Sequence, residues 1–181
     1  IYMKISSSNI LVFGGAGYIG SHIVLDLCDK GYSVYVFDNL STGHRKNIDS
    51  RAKLIFGDIL SLDDLNKAFD RDYLAVFHFA ALKSAGDSFK KVDIYAQTNI
   101  IGTINILNYM IKSKINYFVF SSSAAVYGKP EYVPIDEKHP KKPINFYGFT
   151  KLEIERLLFW YSNCKGIIYS SLRYFNAAGY D

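Results

Sequence analysis

The sequence has 181 residues, 49% of them hydrophobic, and a formal net charge of +4, which suits one domain with a buried core. Its basic residues form only short pairs, at 90–91 and 141–142 for example, and this argues against nucleic-acid binding. No apolar stretch approaches the roughly 18 residues that a membrane span requires, so we expect no membrane association.

The first predicted unit is a strand, a glycine turn and a helix. Residues 10–13 are apolar, which predicts a strand buried on both faces, and residues 18–30 carry apolar side chains at helical spacing. Between and within these elements lie glycines at 14, 15, 17 and 20, whose spacing fits both Gly-x-Gly-x-x-Gly and Gly-x-x-Gly-x-x-Gly. Such a turn lets a pyrophosphate approach the free amides of the helix start, so we expect a dinucleotide site.

A second predicted strand, residues 33–37, ends in Asp38, eighteen residues after Gly20. A carboxylate at this point accepts hydrogen bonds from both ribose hydroxyls and repels a 2′-phosphate, so the sequence favours NAD over NADP. Arg45 and Lys46 lie close by in sequence and leave the alternative, NADP, open.

Further predicted elements continue the alternation of strands and helices. Strands are expected at 53–56, 74–79, 117–120 and 166–173, and helices after a Ser61 cap, at 93–112 and at 147–163. Residues 129–145 hold all four prolines and predict a long irregular segment. This order predicts an α/β Rossmann-type fold, a doubly wound parallel sheet with helices on both faces. Asp58 would then end a strand, where it could meet an adenine or serve only as a turn carboxylate.

Tyr147 and Lys151 are four residues apart at a predicted helix start, so both project from one face. A nearby ammonium favours the phenolate of a tyrosine and, together with the positive nicotinamide of NAD, makes Tyr147 a candidate general base. Ser123, at the end of a neighbouring predicted strand, could hydrogen-bond the same substrate oxygen.

Together these motifs resemble the extended short-chain dehydrogenase/reductase family, and within it the 4-epimerases that act on UDP-sugars. The resemblance is carried by residues 14–22, 38–40, 57–59, 78–83, 121–128, 147–151 and 173–179. The stretch 78–83 separates these epimerases from sibling dehydratases, and Ala124 and Ala125 stand where dehydratases carry an acidic pair. Departures from the family pattern are Phe13, Ala81 and Phe146, none of which removes a reacting group.

The resemblance implies NAD-dependent, reversible 4-epimerisation of UDP-glucose and UDP-galactose through a 4-keto sugar, with Ser123, Tyr147 and Lys151 as catalytic residues. The expected cofactor-binding residues are Gly14, Gly17, Tyr18, Ile19, Gly20, Asp38, Asn39, Asp58, Ile59, Phe79, Ala80, Ala81, Lys83, Asn99, Tyr147, Lys151 and Phe175. The expected substrate-binding residues are Lys83, Ser123, Tyr147 and Asn176.

Two other functions stay open at this point: a sibling epimerase for N-acetylated or pentose UDP-sugars, and a non-catalytic NAD-binding sensor. We expect residues 1–181 to be an NAD-binding domain, the N-terminal part of a longer enzyme whose substrate domain follows. The family resemblance implies a homodimer that pairs the helices 93–112 and 147–163. Cys28, in the first helix, and Cys164, expected after the last one, favour buried free thiols, a reducing cytoplasmic compartment and no metal site.

Overall fold

The computed structural model describes residues 8–179 and contains one parallel sheet of six strands, in the order β3-β2-β1-β4-β5-β6. The strands are β1 Asn9–Phe13, β2 Ser33–Asp38, β3 Lys53–Phe56, β4 Ala75–His78, β5 Tyr117–Ser123 and β6 Ile168–Tyr174. The chain reverses its winding direction between β1 and β4, which are paired neighbours. The predicted doubly wound sheet is therefore confirmed, and its switch point lies at the carboxyl end of β1.

Six α-helices connect and cover the strands within the described residues. They are α1 Tyr18–Asp29, α2 Leu62–Ala68, α3 Ala85–Ser88, α4 Val92–Tyr95, α5 Gly102–Lys112 and α6 Phe146–Lys165. The helix predicted over 93–112 is interrupted, because a π-helical turn, Ala96–Ile101, joins α4 to α5. In the part of the chain from residue 8 to 179, none of these helices has the length and apolarity needed to cross a membrane.

The two faces of the sheet pack against different helices because side chains alternate along each strand. Leu11 and Phe13 of β1 lie in a core cluster with residues of α2, α5 and α6. Ile10 and Val12 point the other way and pack with Val24 and other residues of α1. This arrangement confirms the expectation of helices on both faces.

Helix α6 is longer than predicted. It begins after Asn145, whose side-chain oxygen accepts a hydrogen bond from the Gly148 amide at 2.7 Å, and it ends at Gly166, which has a left-handed backbone with φ of 74°. Cys164 therefore lies in the last turn of the helix and is exposed, whereas Cys28 is buried. The expectation of two buried thiols is right for Cys28 and wrong for Cys164.

Candidate functional site

The carboxyl ends of all six strands border one cleft with a volume of about 480 Å³. This is the edge at which open α/β sheets bind their ligands. The cleft is lined by every residue predicted above for the cofactor, the substrate and the chemistry, with the exception of Asn99. The structure thus brings together groups that are as far apart in sequence as Gly14 and Asn176.

The glycine turn between β1 and α1 forms one wall of the cleft. Gly14 has a positive φ of 77°, and a Cβ atom there would lie 2.4 Å from the Ala80 amide nitrogen. A Cβ atom on Gly20 would lie 2.2 Å from the Gly14 oxygen, so α1 could not pack this closely on the turn with any other residue. The first intrahelical bond runs from the Ser21 amide to the Gly17 oxygen at 2.9 Å, which leaves the preceding amides directed out of the helix start.

Asp38 ends β2 beside this turn and is almost fully buried. Its Oδ2 atom accepts a hydrogen bond from the Ala16 amide at 2.9 Å, and its Oδ1 atom accepts one from the Leu40 amide at 2.8 Å. Each carboxylate oxygen keeps a second lone pair for a ligand hydroxyl. The residues present therefore fit a dinucleotide, since helix amides suit a pyrophosphate and a fixed carboxylate suits a ribose diol.

The side chains of Asn39 and Asp58 pair across the end of β2 and β3. The Asn39 amide donates to Asp58 Oδ2 at 3.0 Å, and Asp58 Oδ1 accepts from the Leu60 amide at 2.8 Å. Next to them, Ile59 is held by a hydrogen bond from Asn105 to its backbone oxygen at 3.1 Å. Asp58 is thus both a turn carboxylate and a lining residue of the cleft.

Asn99 lies behind the cleft and not in it. Its side-chain oxygen accepts from the Leu82 amide at 2.9 Å, and its side-chain nitrogen donates to the Leu82 oxygen at 3.0 Å and to Thr150 at 3.1 Å. The π-helical turn shifts the helix register here, so that Thr98 lines the cleft while Asn99 is buried. Asn99 thus supports the loop that carries Lys83, and its expected cofactor contact stays a prediction.

Lys151 is buried on α6, and its Nζ atom donates a hydrogen bond to the Ser121 backbone oxygen at 2.8 Å. The same nitrogen lies 4.8 Å from the centre of the Phe120 ring and 5.8 Å from the centre of the Tyr147 ring. Removal from water disfavours the charged amine, and this burial lowers the pKa of Lys151 to about 7.

Tyr147 lies one helical turn before Lys151, beside the end of β5. Burial raises the pKa of Tyr147 above its ordinary value, while a hydrogen bond with Ser123 acts in the opposite direction. The Ser123 hydroxyl also accepts a hydrogen bond from the Ala125 amide at 3.2 Å. Lys151 bonds the backbone of β5 and not the Tyr147 hydroxyl, so burial sets the upward direction of the Tyr147 pKa, and the role of Tyr147 as a general base stays a prediction.

The segment after β6 closes the opposite side of the cleft. Phe175 and Asn176 line it, and the hydroxyl of Tyr18 donates to the Gly179 oxygen at 2.6 Å, which joins the glycine turn to this segment. Several further residues line the cleft that were not predicted as site residues, and they include Thr98, Ser122 and Tyr174. Each of these three directly adjoins a predicted site residue in the sequence: Ser122 precedes Ser123, Tyr174 precedes Phe175 and Thr98 precedes Asn99. Across residues 8–179 there is no cluster of three or more His, Cys, Asp or Glu that could hold a metal ion.

Comparisons with known proteins agree with this geometry. The model of the NAD dependent epimerase/dehydratase family matches residues 10–181. UDP-glucose 4-epimerase of Lactobacillus helveticus is 47% identical to the chain over 171 residues, which are 94% of this chain and 52% of that protein.

Two solved structures have the same fold at similar coverage. UDP-glucose 4-epimerase from Brucella ovis in complex with NAD is 41% identical, with a TM-score of 0.92 over 96% of this chain and 53% of that one. UDP-glucose 4-epimerase from Thermotoga maritima with UDP-glucose is 37% identical, with a TM-score of 0.91 over 94% of this chain and 56% of that one. The chain spans about half the length of the relatives it matches. Because the family model matches residues 10–181, the chain belongs to the NAD dependent epimerase/dehydratase family.

Proposed function

We propose that this chain supplies the NAD-binding and proton-transferring half of an epimerase that interconverts UDP-glucose and UDP-galactose. The observation that carries the proposal is the single cleft that holds a dinucleotide-type glycine turn with Asp38 at one end and Ser123, Tyr147 and Lys151 at the other. A sensor that only bound NAD would have no use for a half-buried tyrosine and a buried lysine beside a serine. The remaining sugar contacts would come from sequence beyond this domain, since the matched relatives are about twice as long.

In the proposed reaction, Tyr147 accepts the proton of the sugar 4-hydroxyl while the C4–H bond breaks with its electron pair and a C4–O double bond forms. Ser123 holds the same oxygen by a hydrogen bond. Bound NAD supplies the acceptor, and later the donor, of the hydride, so the two half-reactions leave no net redox change. After the 4-keto sugar turns its other face to the cofactor, Tyr147 returns the proton. Lys151 holds the end of β5 in place through Ser121.

The proton transfer requires a phenolate, whose formation burial opposes. The positive charge of an oxidised nicotinamide ring beside Tyr147 would favour the phenolate, and the Ser123 hydrogen bond acts in the same direction. We therefore expect Tyr147 to act as a base only when the cofactor is bound and oxidised.

The test is Tyr147→Phe in the complete enzyme, with Tyr161→Phe as the matched control, because Tyr161 lies on the same helix and donates to Asn108 outside the cleft. Tyr147→Phe should keep NAD and lose about 100-fold or more of the turnover of UDP-galactose, in line with the loss of a general base. Unchanged turnover contradicts the assignment of Tyr147 as the base.

A panel of N-acetylated and pentose UDP-sugars distinguishes the sibling epimerases. If the complete protein converts no UDP-sugar but still binds NAD, the result favours the sensor.

The proposal includes a homodimer formed through α6 and the helical segment beside it. This pair of helices leaves Ile94, Ile101, Phe149 and Trp160 exposed, and exposed apolar side chains on two neighbouring helices suit pairing with a second copy. Sedimentation of the complete protein at micromolar concentration should give the mass of a dimer, and a monomer mass contradicts it.

We also propose that the enzyme works in the cytoplasm. Both Cys28 and Cys164 are free, which suits a reducing compartment. Cell fractionation with an antibody to the protein tests this, and recovery from an oxidising compartment contradicts it.

A further inference from the structure

A nearly buried ion pair lies behind the catalytic end of the cleft. Arg173 of β6 contacts Glu155 of α6 through two bonds, from Nε to Oε1 at 2.9 Å and from Nη2 to Oε2 at 2.7 Å. Only 14% of the Arg173 side chain and 10% of the Glu155 side chain are exposed. Two parallel bonds of this kind fix the relative orientation of both side chains.

Two further residues complete this cluster, which we call the Glu155–Arg173 cluster. The Ser122 hydroxyl donates to Glu155 Oε1 at 2.6 Å, and Arg173 Nη1 donates to the Tyr127 hydroxyl at 2.9 Å. Arg173 Nη1 also contacts Glu137 at 3.0 Å, but the Glu137 side chain is 90% exposed, so this ion pair contributes little to stability.

Three members of the cluster, Ser122, Arg173 and Glu155, adjoin groups of the proposed active site. Ser122 precedes Ser123, and its partner in the sheet is Arg173, while Ser123 pairs with Tyr174, which lines the cleft. Glu155 lies one helical turn after Lys151. The cluster therefore ties the end of β5, the end of β6 and the catalytic turns of α6 together, and of its members only Ser122 also lines the cleft.

Stability alone is a poor reason for such a cluster, since buried ion pairs are often no better than apolar residues of similar volume. A small shift of a reacting group, by contrast, costs much of the rate. Ser123 and Tyr147 must both meet one oxygen, and they stand on different elements, β5 and α6, which this cluster joins.

We propose that Glu155 and Arg173, through Ser122, are positioning residues that hold Ser123 against Tyr147 for proton transfer. This inference rests on the proposed epimerase function. Glu155 and Arg173 lie outside the lining of the cleft, so loss of their ion pair should slow the chemical step and leave both affinities nearly intact.

The experiment compares Glu155→Gln, Ser122→Ala and the control Glu153→Gln in the complete enzyme. Glu153 lies on the same helix and pairs with Arg156 at the surface, outside the cleft. Glu155→Gln should lower kcat about tenfold or more, and Ser122→Ala several-fold, while the KM for UDP-galactose and the Kd for NAD stay within about threefold. Glu153→Gln should match the wild type. Ser122→Ala keeps the ion pair, so it stays informative where Glu155→Gln fails to fold.

A second measurement, amide hydrogen exchange without substrate, is independent of activity. Ser122→Ala should speed exchange at residues 123–127 and 174–176, and Glu153→Gln should not. Unchanged kcat with unchanged exchange overturns the proposal, as does a parallel loss of kcat and of both affinities, which indicates general unfolding. If the wild-type enzyme converts no UDP-sugar, the epimerase function fails, and the exchange result alone then decides whether the cluster positions Ser123.

Discussion

The Nζ atom of Lys151 donates a hydrogen bond to the backbone oxygen of Ser121 at 2.8 Å, which fastens α6 to the end of β5. The lysine is buried, and within the described residues no carboxylate is hydrogen-bonded to its amine to offset the burial. Its amine is consequently balanced between the charged and neutral forms near pH 7, because burial lowers the pKa of Lys151 to about 7.

This shift predicts a pH dependence of stability. Between pH 7 and about 10 the unfolded chain binds a proton at Lys151 that the folded chain does not, so the free energy of unfolding should rise with pH. The slope from one group is at most about 1.4 kcal/mol per pH unit. Urea unfolding at pH 7 and pH 9 should show this rise in the wild type and in Lys165→Met, which changes an exposed lysine of the same helix. Lys151→Met should lack it, and equal slopes in all three proteins contradict the prediction.

Asp38 should control both the affinity and the choice of the dinucleotide. Its carboxylate can accept from ribose hydroxyls, and hydrogen bonds to a charged group contribute about 1.5–3 kcal/mol each. Asp38→Ala should therefore weaken NAD binding by roughly 10- to 100-fold and shrink the preference for NAD over NADP. Calorimetric titration of cofactor-free protein with NAD and with NADP measures the two affinities and so the preference. Asp63→Ala, an exposed position on α2, should bind as the wild type does; a wild-type affinity in Asp38→Ala would remove Asp38 from the site.

Two glycines offer a matched test of the glycine turn. An alanine at Gly20 would place its Cβ atom 2.2 Å from the Gly14 oxygen, whereas one at Gly86, in α3, would meet no atom of the described chain within 4 Å. Gly20→Ala should destabilise the fold by about 1–3 kcal/mol or more and disturb the cofactor amides. Gly86→Ala should be neutral or stabilising by up to about 1 kcal/mol. Thermal unfolding with and without NAD measures the change in stability for each variant. Equal effects of the two substitutions would show that the fold does not need the close contact between Gly20 and Gly14.

Asn99 is expected to act through its backbone partners. Asn99→Ala leaves the Leu82 amide and oxygen without this partner and should cost about 1–3 kcal/mol of stability. Asn108→Ala, at an exposed position of α5, should cost less than about 1 kcal/mol. Chemical unfolding compares the two, and an Asn99→Ala protein as stable as Asn108→Ala would show that Leu82 is held by other contacts.

The elements that position the site were predictable because their signals are local. The apolar run before Gly14, the helical spacing after Gly17 and the carboxylate at the end of β2 each depend on a few neighbouring residues. Parallel topology then places all strand ends at one edge, so a cleft that joins Gly14 to Tyr147 follows from the order of the elements.

What the sequence did not predict depends on packing between distant elements. A π-helical turn adds one residue to a helical turn, and the apolar spacing of residues 93–112 does not show it, so the sequence predicts an unbroken helix there. The pKa of Tyr147 depends on how deeply α6 and β5 bury it, and the spacing from Lys151 carries no such information. The short helix α3 has too few residues to show a period.

Epimerisation of UDP-galactose by the complete enzyme in D₂O tests whether the hydrogen on C4 moves as a hydride while Tyr147 moves a proton. In the proposed mechanism Tyr147 exchanges its proton with solvent, whereas the hydrogen on C4 travels to the cofactor and back without meeting water. We expect the wild type to form UDP-glucose that carries no deuterium at C4, and Tyr147→Phe to form little or no product. Both proteins should release NAD when they are denatured. Deuterium at C4 of the product would contradict hydride transfer within the cleft, and so the proposed roles of Tyr147 and Ser123.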